Sequence, residues 1–267
     1  MVSLENHLMQ ERFWYWINNM KKILNYLLIK SPIVLFIIAW EVAGRVASSP
    51  MFPSFYQVMV EAYNLIVTGI LISNLSDSFL RVMIGYLLGG LFGIIIGSLM
   101  GMYKTIELSL KPLINMLLPI PTLGWLPLMM LWIGINEMLP IVLIFICAFF
   151  PVAYATLLGI KEIPKEYINT AKSLGASNLY IFFKIILPLA SPSIFTGLRL
   201  EAGMVWKTVL AAEMFAIPTG IGALMINAES LIRVDIIMVT LMVLAVMSFS
   251  FEKAIYKLEA ITTSKWR

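Results

Sequence analysis

The 267-residue sequence is poor in the residues from which catalytic and metal sites are usually built. It has one cysteine, Cys147, and one histidine, His7, which excludes an internal disulfide and a cysteine-based metal cluster. Charged residues make up 13% of the chain, about half the share of roughly 25% found in soluble domains. No G-x-x-x-x-G-K-[ST] loop for holding phosphates is present. We therefore expect no catalytic residue, no metal site and no bound cofactor.

What the sequence has in excess is apolar surface. Hydrophobic residues make up 60% of the chain, and the mean hydropathy is +0.91. Soluble domains contain about 45–50% apolar residues, and a globule of this size still exposes much of its surface to solvent. The same composition excludes a disordered chain. The sequence therefore predicts an all-α membrane protein.

Runs of about 20 apolar residues predict the membrane spans. Six are found, at roughly 24–46, 80–102, 112–134, 138–160, 190–215 and 236–256. The stretch 54–72 has helical spacing but contains Glu61 and Asn64, so it is interpreted as an interfacial or external helix, with a seventh span as the alternative. Residues 1–31 are predicted to form a cytoplasmic or interfacial helix, and 261–267 a cytoplasmic tail. Residues 32–260 are predicted to form the transmembrane domain.

The distribution of lysine and arginine predicts the orientation, because cytoplasmic loops are enriched in positive charge. With the N-terminus in the cytoplasm, 14 of the 19 basic residues fall inside. These are Arg12, Lys21, Lys22, Lys30, Lys104, Lys111, Lys161, Lys165, Lys172, Lys184, Lys253, Lys257, Lys265 and Arg267. Only Arg45, Arg81 and Arg233 fall outside. The net charge of +4 thus reflects topology rather than a nucleic-acid partner, and both termini are predicted to be cytoplasmic.

Small residues and prolines mark two of the predicted spans. Gly85, Gly89, Gly93, Gly97 and Gly101 are spaced by four residues on nearly one helix face. Such a face lets another backbone approach closely, so tight packing is the preferred interpretation over a sliding or gating surface. The third span carries prolines 119, 121 and 127, each of which removes a backbone donor. Broken helices occur where the backbone lines a cavity or is buried in protein, which points to a transport path or to a kinked structural helix.

The fifth span contains four ionisable residues, Arg199, Glu201, Lys207 and Glu213. At about 100° per residue, Arg199, Trp206 and Glu213 share one face with Lys207 on its flank, while Glu201 points nearly the opposite way. No opposite charges lie at i,i+3 or i,i+4, so these residues need partners elsewhere. Charges inside a membrane are functional candidates. The candidates for a translocation path are Lys207, Arg199, Trp206 and Glu213.

The loop at 161–189 has the pattern of two short helices around a turn. Pro164 suits a helix start, and Gly175 suits a helix end. A second helical stretch, 177–187, is predicted to end before Pro188. In the first helix, Ile168, Ala171 and Leu174 form an apolar side predicted to fit a groove on a soluble partner.

The spacing in this loop resembles that of the permease subunits of binding-protein-dependent ABC importers. Their loop signature is E-A-A, three residues, G, nine residues and I-x-L-P. Here the matching positions are Asn169, Thr170, Ala171, Gly175, Ile185, Leu187 and Pro188, with Asn and Thr departing from the family triplet. The segments PIPTLGWLPLMMLWIG, AKSLGAS and GLRLEAGMVWKTVLAAEM are similar to the branch that serves nitrate, sulfonate and taurine.

The resemblance covers roughly residues 32–260 and implies function as well as fold. It implies six transmembrane helices of the type I importer permease fold, with a cytoplasmic coupling helix-turn-helix at 161–189. It also implies a permease homodimer in the lipid of the cell membrane, ATPase subunits that bind the ATP, and an extracytoplasmic solute-binding protein. A passive channel and a membrane-embedded enzyme are the alternatives. A channel would not explain the patterned loop, and an enzyme would need a catalytic constellation that the residues do not supply.

Overall fold

The computed structural model describes residues 31–47 and 49–263, and every regular element in that part of the chain is helical. It divides into two compact units, one ending at Val60 and the other beginning at Glu61. The predicted all-α fold is confirmed. Of the helix predicted at 1–31, all but the last residue lies outside the described residues, as do residues 264–267 of the predicted tail.

The first unit consists of a helix at residues 31–47 (α1) and the start of α2 (Phe55–Val67). The indole N–H of Trp40 donates to the carbonyl oxygen of Pro53 at 3.0 Å, and the Trp40 ring meets Phe55 edge-on. The Glu41 carboxylate accepts the backbone N–H of Tyr56 at 2.9 Å, which satisfies a free donor at the start of α2. These contacts fix the chain between the two helices.

The second unit contains the helices that carry the candidate site. They are α3 (Ile70–Met102), α4 (Lys104–Leu117), a 3₁₀ turn (Thr122–Trp125), α5 (Leu126–Ile133), α6 (Met138–Lys161), α7 (Lys165–Ser173), α8 (Asn178–Ile181), a π segment (Phe182–Ile186), α9 (Leu187–Ala216), α10 (Ile221–Ser230) and α11 (Val234–Thr263).

Four helices in the described part of the chain are long and apolar enough to cross a membrane. They are α3, α6, the continuous helix Asn178–Ala216 and α11. A fifth candidate is a broken span, in which α4 and Thr122–Ile133 are bent by 92°. The first predicted span, 24–46, is described only from residue 31, and that part is helical. The count of six spans therefore stays a prediction.

Helix α3 begins earlier than predicted, at Ile70 rather than near residue 80. Polar residues in its first turns, among them Asn74 and Arg81, lower the hydropathy of this stretch. Arg81 is nevertheless buried, because its guanidinium is paired with carboxylates of neighbouring helices. Hydropathy alone places the start of α3 too late, because it takes no account of the ion-pair partners that other helices supply.

Helices α3 and α6 run parallel, with their backbones in contact along a row of glycines that we call the glycine seam: Gly85, Gly89, Gly93, Gly97 and Gly101. A Cβ atom added at any of the first four would lie 2.4–2.9 Å from a carbonyl oxygen of α6. Those oxygens belong to residues 141, 145, 149 and 153, which are also four apart. The equal spacing keeps the two helices in register. The predicted tight packing is confirmed.

The glycine seam predicts the cost of adding one methyl group. In Gly97→Ala the new Cβ would lie 2.4 Å from the Ala153 carbonyl oxygen and 2.6 Å from Cβ of Thr156. Because backbone cannot move aside as a side chain does, we expect a loss of about 1–3 kcal/mol in the free energy of unfolding. Thermal unfolding of the purified protein in detergent, followed by helicity, measures the corresponding fall in midpoint.

The matched control is Gly203→Ala on α9. There the added Cβ would lie 3.7 Å from the Ser248 hydroxyl oxygen, which is ordinary van der Waals contact. We expect this variant to melt close to the unchanged protein. Equal midpoints for Gly97→Ala and Gly203→Ala would contradict the seam as a packing constraint.

Candidate functional site

The break in the third predicted span lines a cavity of about 320 Å³, which we call the break cavity. Residues 117–123 form one wall, Ile146–Phe150 of α6 contribute to a second, and Glu201, Met204, Lys207 and Thr208 of α9 form a third. Pro119 and Pro121 lie in the non-helical connection between α4 and the 3₁₀ turn. The predicted interruption of the helix by proline is confirmed, and the interrupted backbone faces a cavity.

Lys207 is the basic side chain in the break cavity, and it has no ion-pair partner among the described residues. Its ammonium group lies 3.9 Å from the Met204 sulfur, and the residue is exposed. A thioether is a weak acceptor that carries no charge. The positive charge of Lys207 is therefore not neutralised by a carboxylate of the described residues.

The other polar groups of the cavity form a short chain of hydrogen bonds. The Thr208 hydroxyl donates to Sγ of Cys147 at 3.4 Å, and the Cys147 thiol donates to Oε2 of Glu201 at 3.3 Å. Sequence reasoning gave none of these three a role, because Glu201 was placed opposite the face of Trp206. The structure shows that Glu201 and Lys207 line the same cavity. The signal available in the sequence was the i, i+3, i+7 spacing of residues 201, 204 and 208.

Two of the predicted path residues face α11 rather than the break cavity. The Arg199 guanidinium lies 3.5 Å from the Glu259 carboxylate and 5.7 Å from the centre of the Tyr256 ring. Trp206 is buried, with its ring 6.3 Å from that of Phe251. In this structure both residues join α9 to α11.

Glu213, the remaining path candidate, is completely buried in an ion pair with Arg81 of α3. The Arg81 Nη1 donates to Oε1 of Glu213 at 2.6 Å, and the Ser78 hydroxyl donates to Oε2 at 2.7 Å. Arg81 also donates to both oxygens of Glu137, at 2.7 and 3.0 Å, and to the Thr219 carbonyl and hydroxyl oxygens. The network ties the connection after α9 to α3 and to the start of α6, at the opposite end of the helices from α7.

The same network explains the backbone conformation of the loop that follows α9. Gly220 has φ +103°, and a Cβ there would lie 2.3 Å from the Glu213 carboxylate. The backbone N–H of Gly222 donates to Oε2 of Glu213 at 3.1 Å, and that of Ile221 donates to the Ser78 hydroxyl at 2.9 Å. The Glu213 carboxylate thus accepts bonds from three directions, which compensates for its burial.

The loop 161–189 forms the predicted first helix and ends it at the predicted glycine. Gly175 has φ +82°, its N–H bonds to the Lys172 carbonyl oxygen at 2.9 Å, and the Ala176 N–H bonds to the Ala171 oxygen at 3.0 Å. These two bonds define a Schellman motif, which places glycine in the left-handed conformation. The turn predicted at Gly175 is confirmed.

The predicted apolar docking side of α7 is wrong for two of its three residues. Ile168 and Ala171 pack inward, in a cluster with Ile160, Ile163 and Ile181, because the neighbouring loop and helix ends offer them apolar surface. Leu174 is exposed, and so are Asn169 and Thr170 of the signature triplet. The side of α7 left open to a partner carries Tyr167, Thr170 and Leu174.

The second helical stretch of the loop does not end before Pro188, contrary to the prediction. It begins at Asn178, passes through the π segment and continues as α9. The Leu187 N–H bonds to the Phe182 carbonyl oxygen, an i to i−5 bond that widens the helix just before the proline. Ile185, Leu187 and Pro188 of the signature thus lie where the loop enters the membrane-spanning helix, and all three are partly buried.

The sequence and the fold were compared with known proteins. Residues 89–254 match the family described as "Binding-protein-dependent transport system inner membrane component". The taurine transport system permease protein of Escherichia coli (strain K12) is 35% identical over 232 residues, covering 85% of this chain and 84% of that protein. The nitrate import permease protein of a Synechocystis strain is 30% identical over 238 residues, covering 86% of each.

A solved structure shows the same fold at lower identity. "Crystal structure of an amino acid ABC transporter with histidines" matches with a TM-score of 0.57 and 20% identity, covering 76% of this chain and 97% of that one. The family match covers more than half of the chain, and it agrees with the apolar helices and the loop signature. The chain belongs to the inner membrane component family of binding-protein-dependent transport systems, as a multi-pass permease with the type I ABC importer fold.

Proposed function

We propose that the chain forms the translocation path for a small anion in an ABC importer. The observation that carries the proposal is the position of Lys207, a cation without a carboxylate partner in a cavity bounded by a proline-broken span. A charge inside a membrane protein costs several kcal/mol unless it is paired or serves a function. The relatives named for taurine and nitrate transport support a small solute that carries a negatively charged sulfonate or nitrate group.

The orientation that we propose places α7 in the cytoplasm, together with both termini of the chain. Lys161, Lys165 and Lys172 lie at that end of the helices, as the positive-inside rule requires. The buried Arg81–Glu213 pair then lies at the extracytoplasmic end, where the solute-binding protein delivers its cargo. Helices α3 and α6 run in the same direction, which agrees with this arrangement because the broken span lies between them in the chain.

The energy for transport comes from ATPase subunits that dock on the exposed side of α7. Tyr167, Thr170 and Leu174 are spaced at i, i+3 and i+7, and all three are exposed. A second copy of the permease would close the break cavity on the side where Lys207 is exposed. The complex is thus proposed as a permease homodimer with two ATPase subunits and one binding protein.

The role of Lys207 is tested by removing its charge at nearly constant length. Lys207→Met should lower the uptake of an anionic solute about tenfold or more, because a hydrogen bond to a charged group contributes about 1.5–3 kcal/mol. The measurement is uptake into proteoliposomes that contain the permease, its ATPase and the loaded binding protein.

Lys207→Arg is the charge-preserving control and should retain most of the uptake. Co-purification of the ATPase with each variant shows whether the complex still assembles. Full transport by Lys207→Met would contradict a contact with the solute, and loss of folding in that variant would indicate a structural role instead.

The role of α7 is tested at Gly175, whose backbone conformation disfavours β-branched residues. A Cβ there meets no atom within 4 Å, and the backbone has φ +82°, so we attribute the expected effect of Gly175→Val to the backbone conformation. The left-handed conformation costs an L-residue about 1–2 kcal/mol. We expect the exposed side of α7 to tilt, with ATPase docking and solute-stimulated hydrolysis lost together.

Gly175→Asn separates conformation from size, because asparagine adopts left-handed angles more readily than valine. It should dock the ATPase nearly as well as the unchanged protein. Normal docking and normal stimulation in Gly175→Val would show that the glycine only ends a surface helix.

A further inference from the structure

A second cavity, of about 570 Å³, lies at the opposite end of the helices from the Arg81–Glu213 pair. It lies between the end of α3, the start of α4, the end of α6 and the inner side of α7. We call it the lysine pocket, after the four lysines that line it: Lys104, Lys161, Lys165 and Lys172. It is separate from the break cavity, with which it shares no lining residue.

The lysine pocket has more positive charge than its own residues neutralise. Its one lining carboxylate, Glu107, is buried and lies 3.1 Å from Nζ of Lys104, 3.7 Å from Nζ of Lys111, and in hydrogen-bond contact with Lys161. Lys165 and Lys172 have no ion-pair partner among the residues that the structure describes. Four lysines against one carboxylate leave the lining with a net charge of +3.

The rest of the pocket lining is mainly aliphatic. Ile160, Ile163, Ile168, Ile181 and Ile186 line it and belong to one apolar cluster. The pocket lies where α3 ends at Met102 and α6 ends at Lys161, at the ends of two helices that are long and apolar enough to cross a membrane. A ligand that fits must therefore be anionic on one side and apolar on the other, and must be present at the membrane surface.

The two sides of α7 have different chemistry, which separates this pocket from the proposed ATPase surface. Lys165, Ile168 and Lys172 are spaced at i, i+3 and i+7 and line the pocket. Tyr167, Thr170 and Leu174 have the same spacing on the other side of the helix. An occupant of the pocket would thus lie between α7 and the spans, not between α7 and a cytoplasmic partner.

We propose that the lysine pocket binds the phosphodiester headgroup of an anionic membrane phospholipid. Lysine ammonium groups bind phosphate oxygens through charge-assisted hydrogen bonds, and basic pockets at the cytoplasmic ends of spans are suited to anionic headgroups. The isoleucines contact the glycerol and the first acyl carbons. The bound lipid would hold α7 against α4 and α6. The proposal rests on the proposed orientation, which places this end in the cytoplasmic leaflet.

Native mass spectrometry of the full-length permease in mild detergent tests this proposal. The probes are phosphatidylglycerol and phosphatidylcholine with the same acyl chains. The unchanged protein should retain phosphatidylglycerol preferentially. The double variant Lys165→Gln with Lys172→Gln should lose about 25-fold in apparent affinity, since each lysine near an anionic surface contributes about a factor of five.

Two control variants separate a specific site from general positive charge. Lys253→Gln with Lys257→Gln removes two lysines of α11 that do not line the pocket, and it should retain the lipid. Lys165→Arg with Lys172→Arg keeps the charge and should also retain it, which shows that positions 165 and 172 tolerate substitution. Helicity by circular dichroism confirms that each variant is folded.

Three results would overturn the proposal. Equal lipid loss in the pocket and α11 double variants would show that binding is not located in the pocket. Displacement of the lipid by inorganic phosphate at equal concentration would identify a site for free phosphate. Loss of ATPase co-purification from the glutamine double variant in lipid-free detergent would make the pocket part of the ATPase surface. The lipid-binding measurement requires no transport. It therefore stays decisive even if the Lys207→Met variant shows that Lys207 has no role in transport.

Discussion

The backbone contact between α3 and α6 determines where the other helices of the second unit lie. Its glycines bring the two helices so close that Cβ atoms would meet carbonyl oxygens. Helix α6 then makes a second close contact, with α9, where Gly159 faces Ser193 and Gly197 faces Ala155. Because α6 is held on both sides, Cys147 and the α9 residues beside it form a fixed wall for the break cavity. Because lipid gives helices no hydrophobic drive to associate, such close packing is a main source of their association.

The pairing of charged groups is the second constraint on the fold, and it distinguishes Lys207 from Arg199 and Glu213 on the same helix. Glu213, Arg81 and Glu107 each lie within hydrogen-bond distance of an opposite charge. Arg199 reaches Glu259 across the contact between α9 and α11. Lys207 lies within the same long helix as Arg199 and Glu213 but points into the break cavity, where no carboxylate is within ion-pair distance. Within the described part of the chain, Lys207 is therefore the basic residue of α9 without an ion pair, and Glu201, which has no ion pair either, accepts a hydrogen bond from Cys147.

Features that depend on local geometry were predictable from the sequence. The four-residue spacing of the glycines indicated a close helix contact, and Gly175 indicated a helix end, because both follow from backbone sterics. Residues that depend on tertiary partners were not predictable in the same way. Trp206 and Glu213 share a helix face with Arg199, but that face meets α3 and α11 rather than the cavity. The inward packing of Ile168 and Ala171 likewise depends on where the ends of the neighbouring helices lie, which helical periodicity does not contain.

The central claim is that an anion crosses the membrane through this chain only when a separate ATPase supplies energy. The most direct measurement is accumulation of a radiolabelled small anion in proteoliposomes with the binding protein outside and ATP inside. The account predicts accumulation against a gradient that stops when either the ATPase or the ATP is omitted. Equilibration of the anion through proteoliposomes that contain the permease alone would contradict it and indicate a passive channel.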